Sequence, residues 1–466
     1  MTRPGDKEEG SVRRVAIVGG GISGLATAFF LSESLDPSEA EIVLLESSSV
    51  LGGVIRSEST RNFLWEGGPD SFASQKPEAL DLCRQLGLED DLVRTPPHHR
   101  QAYVLSEQKL YPLPLNRSTF LTTPLLSWQG RLRAILEPLI GASTLEDESV
   151  SDFIVRRLGR EVSEKIFEPL VVGVYGGDPH QLSIRSTLPH LYRAERSRRG
   201  LTKALLQMVE PLKPKRFGEK KESLLSLKKG MAELVQTLVE RLQGRVDLRL
   251  QAPVSEVTRE EGRFRVRVGG EAEDFDTVVL ATPAASSAPL VSNAFPEVAD
   301  LLQGVPYVSA VIVAFGYDQE VLSGRTGTGF LVPPSEAKTL SACTWVNHKF
   351  PGRCPEGYEL LRCFIGGDQA GEWISSDDEE VVDRMKSELK DTLSIVREPV
   401  SRMIYRWQTA LPQYRLGHHG RIERLNREVA AIPGLHLVGN FLDGVGISDC
   451  IRHARRVCGD MKETDS

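Results

Sequence analysis

Apolar residues along this chain fall into short β-branched runs and longer helical patterns, and their order predicts an α/β protein. Residues 12–18 (VRRVAIV) suit a buried strand. They lead into a glycine-rich turn at 19–24 and then into residues 25–31, whose pattern is helical. A second apolar run at 42–45 ends at Glu46. From about 85 to 215 the pattern is mainly helical and broken by prolines, as at 132–139 and 150–158. Near residue 225 strands and helices alternate again. A helix is expected over 232–242, and strands over 246–250, 254–257 and 264–268. Residues 278–283 read as a buried strand ending in a turn, and 309–315 and 360–365 as further strands. The chain closes with a strand at 435–440, a glycine-rich loop and a last helix from Ser448.

This order implies a fold of α/β and α+β type, a Rossmann-like domain assembled from separated segments with a mixed-sheet substrate domain and a helical insertion. The expected bounds are 1–84, 216–290 and 426–466 for the dinucleotide domain. The helical insertion is expected at 85–215 and the substrate domain at 291–425.

Composition narrows the function. With 466 residues there is core enough for two or three domains, and a net charge of -7 argues against a dedicated nucleic-acid binder. Six cysteines are scattered without a Cys-x-x-Cys pair, which fits incidental buried thiols rather than a zinc site or a disulfide framework. The first residues are charged and lead directly into a strand, and no run reaches the roughly 20 apolar residues of a spanning helix. A cytoplasmic protein is therefore expected, or one peripheral on the cytoplasmic membrane. Residues 193–229 hold twelve Lys and Arg against four Glu. That stretch reads either as a solvated linker or as the rim of an anionic membrane surface or substrate channel. The proline-broken apolar stretch 120–128 reads either as core or as an interfacial segment.

The candidate chemistry begins at Gly19, Gly20, Gly21, Ile22, Ser23 and Gly24. Gly19 permits a tight turn out of the strand, Gly21 lets backbone approach a pyrophosphate, and Gly24 lets helix and strand pack closely. Phosphates then meet the helix N-terminus. Glu46, 22 residues beyond Gly24, is placed to accept from a ribose. A Gly pair and an Arg follow, in Gly52, Gly53, Val54, Ile55, Arg56 and Ser57. This extension resembles the flavin amine oxidase superfamily, and it favours FAD over NAD. The nine histidines show no metal spacing with acids or cysteines.

Four ordered blocks extend the resemblance over nearly the whole chain: residues 66–72 (EGGPDSF), 170–183 (LVVGVYGGDPHQLS), Trp407 with 412–418, and 437–451. In these the chain is similar to the flavin-dependent porphyrinogen oxidases, the protoporphyrinogen and coproporphyrinogen III oxidases of heme biosynthesis. The resemblance implies that the 19–24 loop, Glu46, Ser47, Gly53, Val54, Ile55, Arg56 and Ser57 bind FAD. It adds Val254 at the adenine, Trp407 near the isoalloxazine, and Gly439, Val445, Gly446 and Ile447 at the flavin's other end. Gly173, Gly329, Leu331 and Phe364 would line a macrocycle pocket. Two departures stand out. Lys229 replaces a glycine often found before Gly230. Ala102 stands where some porphyrinogen oxidases carry an Arg suited to a substrate propionate, so Arg100 or another base would substitute. The implied reaction converts a porphyrinogen to the porphyrin in three flavin cycles, with O₂ as acceptor and H₂O₂ released. The alternative is a flavin amine oxidase, which would carry an aromatic near 445, where this chain has Val445. A ferrochelatase-type pathway partner, peripheral membrane contact and a homodimer are the partners the resemblance admits.

Overall fold

The computed structural model describes residues 12–114, 116–197 and 224–463. Most of the basic stretch 193–229 therefore lies outside the described residues. Five parallel strands form the first sheet, in the order Asp247–Arg249, Ala40–Leu45, Arg13–Val18, Thr277–Leu280 and Leu435–Leu437. Alternate residues of each strand feed opposite cores, as the period of two requires. Val15, Ile17, Leu44 and Val279 pack with the helices Ile22–Ser32, Ala232–Leu242 and Ile447–Glu463. Ala16, Val43, Val278 and Leu280 pack with the three-stranded antiparallel layer Val254–Glu260, Arg263–Val268 and Glu271–Phe275 and with the helix His418–Ala430.

The second large sheet has seven strands, in the order Ser401–Pro412, Tyr307–Tyr317, Glu359–Ile365, Ala342–Trp345, Gly329–Leu331, Ala102–Ser106 and Lys109–Pro112. One face buries Val311, Val313, Phe315, Cys343, Trp345 and Cys363 against the helix Asp378–Leu393. Its other face looks toward the first domain and carries the site described below. A helical layer with Phe153, Ile154, Leu182 and Leu191 in its core covers one end.

Three details differ from the sequence reading. The stretch read as helical contributes the strands Leu92–Arg94, Ala102–Ser106 and Lys109–Pro112. Their hairpin turns at Glu107 and Gln108, with φ of 50° and 62°, so it adopts a left-handed turn without the Asn-Gly signal that marks one. The helix expected over 132–139 runs as Trp128–Ile135 and stops because Pro138 has no N–H to continue it; a short 3₁₀ turn follows. In the 120–128 stretch, Leu125 and Leu126 are buried while Trp128 is 67% exposed, so core and surface divide it. All six cysteines are free and buried, and no described helix is long and apolar enough to cross a membrane.

Candidate functional site

The strand Arg13–Val18 ends in a turn that only glycine fills. Gly19 has φ of 110°, and a Cβ there would stand 2.9 Å from Thr282 Cγ2. A Cβ on Gly24 would overlap the Gly19 carbonyl oxygen. Gly21 is different, because a Cβ there meets nothing within 4 Å. It is also the N-cap of the helix Ile22–Ser32, and no side chain caps that helix. The first-turn N–H groups thus face open space, an anion cradle that fits a pyrophosphate.

Glu46 closes the loop from the next strand. Its Oε2 accepts the Gly20 N–H at 2.7 Å and its Oε1 accepts the Ser48 N–H at 2.8 Å. Beside it, the Ala252 N–H donates to the Glu46 carbonyl at 2.9 Å, which brings the start of the strand Val254–Glu260 alongside Ser47 and Ser48. The Gly52 N–H donates to the Gly20 carbonyl at 2.8 Å, and a Cβ on Gly53 would lie 3.3 Å from Gly21 Cα. Val54 is exposed and Ile55 buried, while Arg56 folds back to donate from Nε to the Gly53 carbonyl at 3.1 Å. The Ser57 hydroxyl is committed elsewhere: it donates to Glu66 at 2.7 Å and accepts the Ala232 N–H at 2.9 Å.

A second glycine loop reaches the same place. Ile447 opens the last helix, which packs along the helix Ile22–Ser32. Gly444, Val445 and Gly446 lead into that turn. Asp449 accepts the Gly446 N–H at 3.2 Å and is balanced by Lys76 at 2.6 Å and Arg452 at 3.0 Å.

From Gly53 a relay of backbone contacts leads to the seven-stranded sheet. The Gly67 N–H donates to the Arg56 carbonyl at 2.8 Å, and the Gly67 carbonyl accepts from Trp407 Nε1 at 2.6 Å. The Tyr405 ring covers Gly67, and Arg362 donates to the Gly68 carbonyl. Asp70 anchors this turn through Lys349 Nζ, 2.8 Å from both carboxylate oxygens. Burial alone would raise the Asp70 carboxyl, but Lys349 and Arg362 hold it well below the usual carboxylate range.

On the sheet itself, Leu331, Ala342, Phe364, Ile312 and Tyr405 stand side by side across five strands, and Ala310 pairs with Trp407 in the next row. Leu331 meets Gly173 of the helix Glu168–Tyr175, where a Cβ would come 2.8 Å from Leu331 Cδ2. Leu331, Phe364 and Trp407 are only half-buried, and Gly173 is exposed. The result is an apolar wall suited to a flat, apolar molecule.

Gly329 stands on the same face one row from Leu331, in the row of Arg362, and a Cβ there would overlap the Cys343 carbonyl. One expected pocket residue, Arg100, is not brought to that wall. Arg100 lies beyond Ala102, the partner of Gly329, and donates from Nε to the Thr95 carbonyl at 3.3 Å. Sequence reasoning missed Arg362 and Tyr405. Each sits two residues before an expected site residue, Phe364 and Trp407, so strand alternation puts each on the same face. Among the described residues no group of three His, Cys, Asp or Glu side chains could hold a metal. A separate cleft of about 980 Å³, lined by Arg13, Thr277, Leu435 and Arg456, opens where three strands of the parallel sheet begin, at the end opposite the glycine loops.

Comparison with known proteins agrees with this geometry. The profile of the flavin containing amine oxidoreductase family matches residues 22–462. The chain is 32% identical to the coproporphyrinogen III oxidase of Bacillus subtilis (strain 168), across 96% of this chain and 97% of that one. It is 28% identical to the chloroplastic protoporphyrinogen oxidase of Oryza sativa subsp. japonica, across 94% and 86%. A crystal structure from Exiguobacterium sp. 255-15, assigned as a protoporphyrinogen oxidase, superposes with a TM-score of 0.84 at 29% identity, covering 97% of this chain and 99% of that one.

Proposed function

The chain belongs to the flavin containing amine oxidoreductase family and is an FAD-dependent oxidoreductase, and from that premise we propose that it oxidises a porphyrinogen to the porphyrin. The substrate class is coproporphyrinogen III or a protoporphyrinogen, the two named for its relatives. The observation that carries this reading is the apolar wall of Gly173, Leu331, Phe364 and Trp407, joined by the Gly67 relay to the glycine loops. Bound FAD would supply a two-electron acceptor, returned to its oxidised form by O₂ with release of H₂O₂, three times per macrocycle.

The chain's own part is placement and exclusion of water. Gly21 and the open first turn at Ile22 and Ser23 would hold the pyrophosphate, and Glu46, with lone pairs left beside its Gly20 and Ser48 contacts, would accept from the ribose. The backbone at Val254 would hold the adenine, and Gly53, Val54 and Arg56, whose Nε donates to the Gly53 carbonyl, would bind the cofactor between the glycine loop and Trp407. Val445, Gly446 and Ile447 present the last helix's N-terminus to the far end of the flavin, where its dipole favours negative charge. Leu331 and Phe364 hold the macrocycle flat, and the guanidinium of Arg362, 4.6 Å from the Phe364 ring centroid, fixes that ring. The same reading includes contact with a membrane surface through Trp128, Leu132, Ile135 and Leu139, four exposed apolar side chains of the helical layer.

Aerobic turnover of the FAD-loaded protein on both porphyrinogens, with porphyrin fluorescence and peroxide followed together, tests the reading. Porphyrin formed above autoxidation supports it, and the ratio of kcat/KM values names the substrate. FAD that stays oxidised with both porphyrinogens sinks it, and primary amines are then the substrates to try.

A further inference from the structure

The loop at 439–446 is fixed through its own carbonyl oxygens. Gly439 O meets His453 Nδ1 at 2.9 Å, Asn440 O accepts from the Tyr414 hydroxyl, and Leu442 O meets His418 Nε2 at 3.2 Å. A hydroxyl or a neutral imidazole can each make one such bond. His453 is in a different position, because its other nitrogen, Nε2, faces the Asp443 carboxylate at hydrogen-bonding distance. A carbonyl and an ionised carboxylate are both acceptors, so filling both contacts requires an N–H on each ring nitrogen. That ring is 0% exposed, and a charge in such a place persists only when paired. The pairing is extended. Asp443 meets Arg452 at 3.0 Å, Arg452 meets Asp449 at 3.0 Å, and Asp449 meets Lys76 at 2.6 Å, so the signs alternate along the whole line. The Asp443 carboxyl, which burial would raise, is held down to about 2 by the His453 and Arg452 contacts.

We propose that His453 is a positioning residue for FAD: an imidazolium clamped between the Gly439 carbonyl and the Asp443 carboxylate, it sets the path of the loop that carries Val445 and Gly446. It acts through that loop and does not touch the flavin. The proposal rests on the assignment of residues 439–447 to the flavin under the function proposed above, and it concerns cofactor affinity, not the identity of the substrate.

The test uses the full chain, stripped of FAD and titrated with FAD by fluorescence, with the visible spectrum of the bound flavin recorded. Four variants are compared: Asp443→Asn, Asp443→Glu, His453→Gln and Gly446→Val. The Asp443 side chain is 61% exposed, so its variants fold even if the buried His453→Gln does not. Asp443→Asn is expected to weaken FAD binding about 10-fold, the scale of one charge-assisted hydrogen bond. Asp443→Glu restores most of the affinity, and the apoprotein's unfolding midpoint stays unchanged in both. ¹⁵N-histidine spectra of the parent show one side chain protonated on both nitrogens, a signal that His453→Gln loses. Parental FAD affinity in Asp443→Asn, or equal weakening by Asn and Glu, overturns the clamp. Gly446→Val separates the two readings. If it abolishes FAD binding while Asp443→Asn leaves it intact, the loop assignment stands and the clamp alone falls. If it leaves FAD binding intact, the loop assignment falls and takes the clamp with it.

Discussion

The indole Nε1 of Trp407 lies 2.6 Å from the carbonyl oxygen of Gly67, and this bond ties the long edge strand of the seven-stranded sheet to the turn that also accepts Arg362. Gly67 is buried, so its carbonyl has no water to turn to. Trp407→Phe keeps an aromatic face and removes the donor. An unpaired buried acceptor costs about 1–3 kcal/mol, so the unfolding free energy should fall by about that amount. Urea unfolding checks this; unchanged stability would show that the Gly67 carbonyl finds another donor.

The glycines of the first loop should separate cofactor binding from folding. A Cβ at Gly21 enters open space, so Gly21→Val should leave the apoprotein's melting curve near that of the parent and abolish FAD uptake. Gly24→Ala should do the reverse. Its Cβ overlaps the Gly19 carbonyl oxygen, and relief of that overlap costs roughly 3 kcal/mol of stability. Flavin content after gel filtration and an unfolding curve for each variant decide the matter. Equal behaviour of the two would refute the different roles.

Gly173 tests the substrate wall without touching the cofactor. Gly173→Val fills the space facing Leu331, so the flavin content and spectrum should stay those of the parent. Turnover of the porphyrinogen should drop on the order of 10- to 100-fold in kcat/KM. A fall in flavin content alongside the rate would show that the helix Glu168–Tyr175 supports the flavin rather than the macrocycle.

How much of this could be read from the chain alone depended on whether a local signal existed. The loop at 19–24 and the acid Glu46 were legible because glycine spacing and strand ends are local facts. The apolar wall was only half legible. Leu331 and Phe364, 33 positions apart, come together only through the strand Ala342–Trp345 between them, and nothing near Arg100 told that it stands away from them. Asp70 and Lys349 are 279 positions apart, a pairing that no spacing rule reaches. The hairpin at Glu107 and Gln108 was missed because its left-handed turn is made without glycine or asparagine.

His418 should make stability fall in mild acid. Its ring stacks on Tyr414 at 4.3 Å, and burial pushes its pKa down to about 4, with the Leu442 carbonyl opposing. The unfolded chain binds this proton near pH 6.5, whereas the folded chain binds it only near pH 4. Between those values the unfolded state holds more protons, so stability declines as pH falls through the window and the loss is complete below it. By pH 5 the loss from this one group is about 2 kcal/mol. Gln at 418 can still donate to Leu442 and does not titrate. The difference in unfolding free energy between pH 7 and pH 5 should therefore shrink by about that amount in His418→Gln, measured in urea. An identical difference in parent and variant would place the acid sensitivity elsewhere.

Asp70 should be among the costliest single polar residues to remove. Lys349 sits 2.8 Å from its oxygens and Arg362 within 3.6 Å, and all three side chains are largely withdrawn from water. Asp70→Ala leaves two cations facing each other without the charge between them. Breaking a buried ion pair from one side costs about 3–5 kcal/mol, because the partner stays buried and uncompensated. If the cost comes from the stranded cations, removing one should recover part of it, whereas a cost from lost packing would only grow. Asp70→Ala combined with Lys349→Met should therefore be more stable in urea than Asp70→Ala alone, although it carries one more substitution. A double variant weaker than the single one would assign the role of Asp70 to shape, and the Gly67 turn would then owe its position to packing and not to charge.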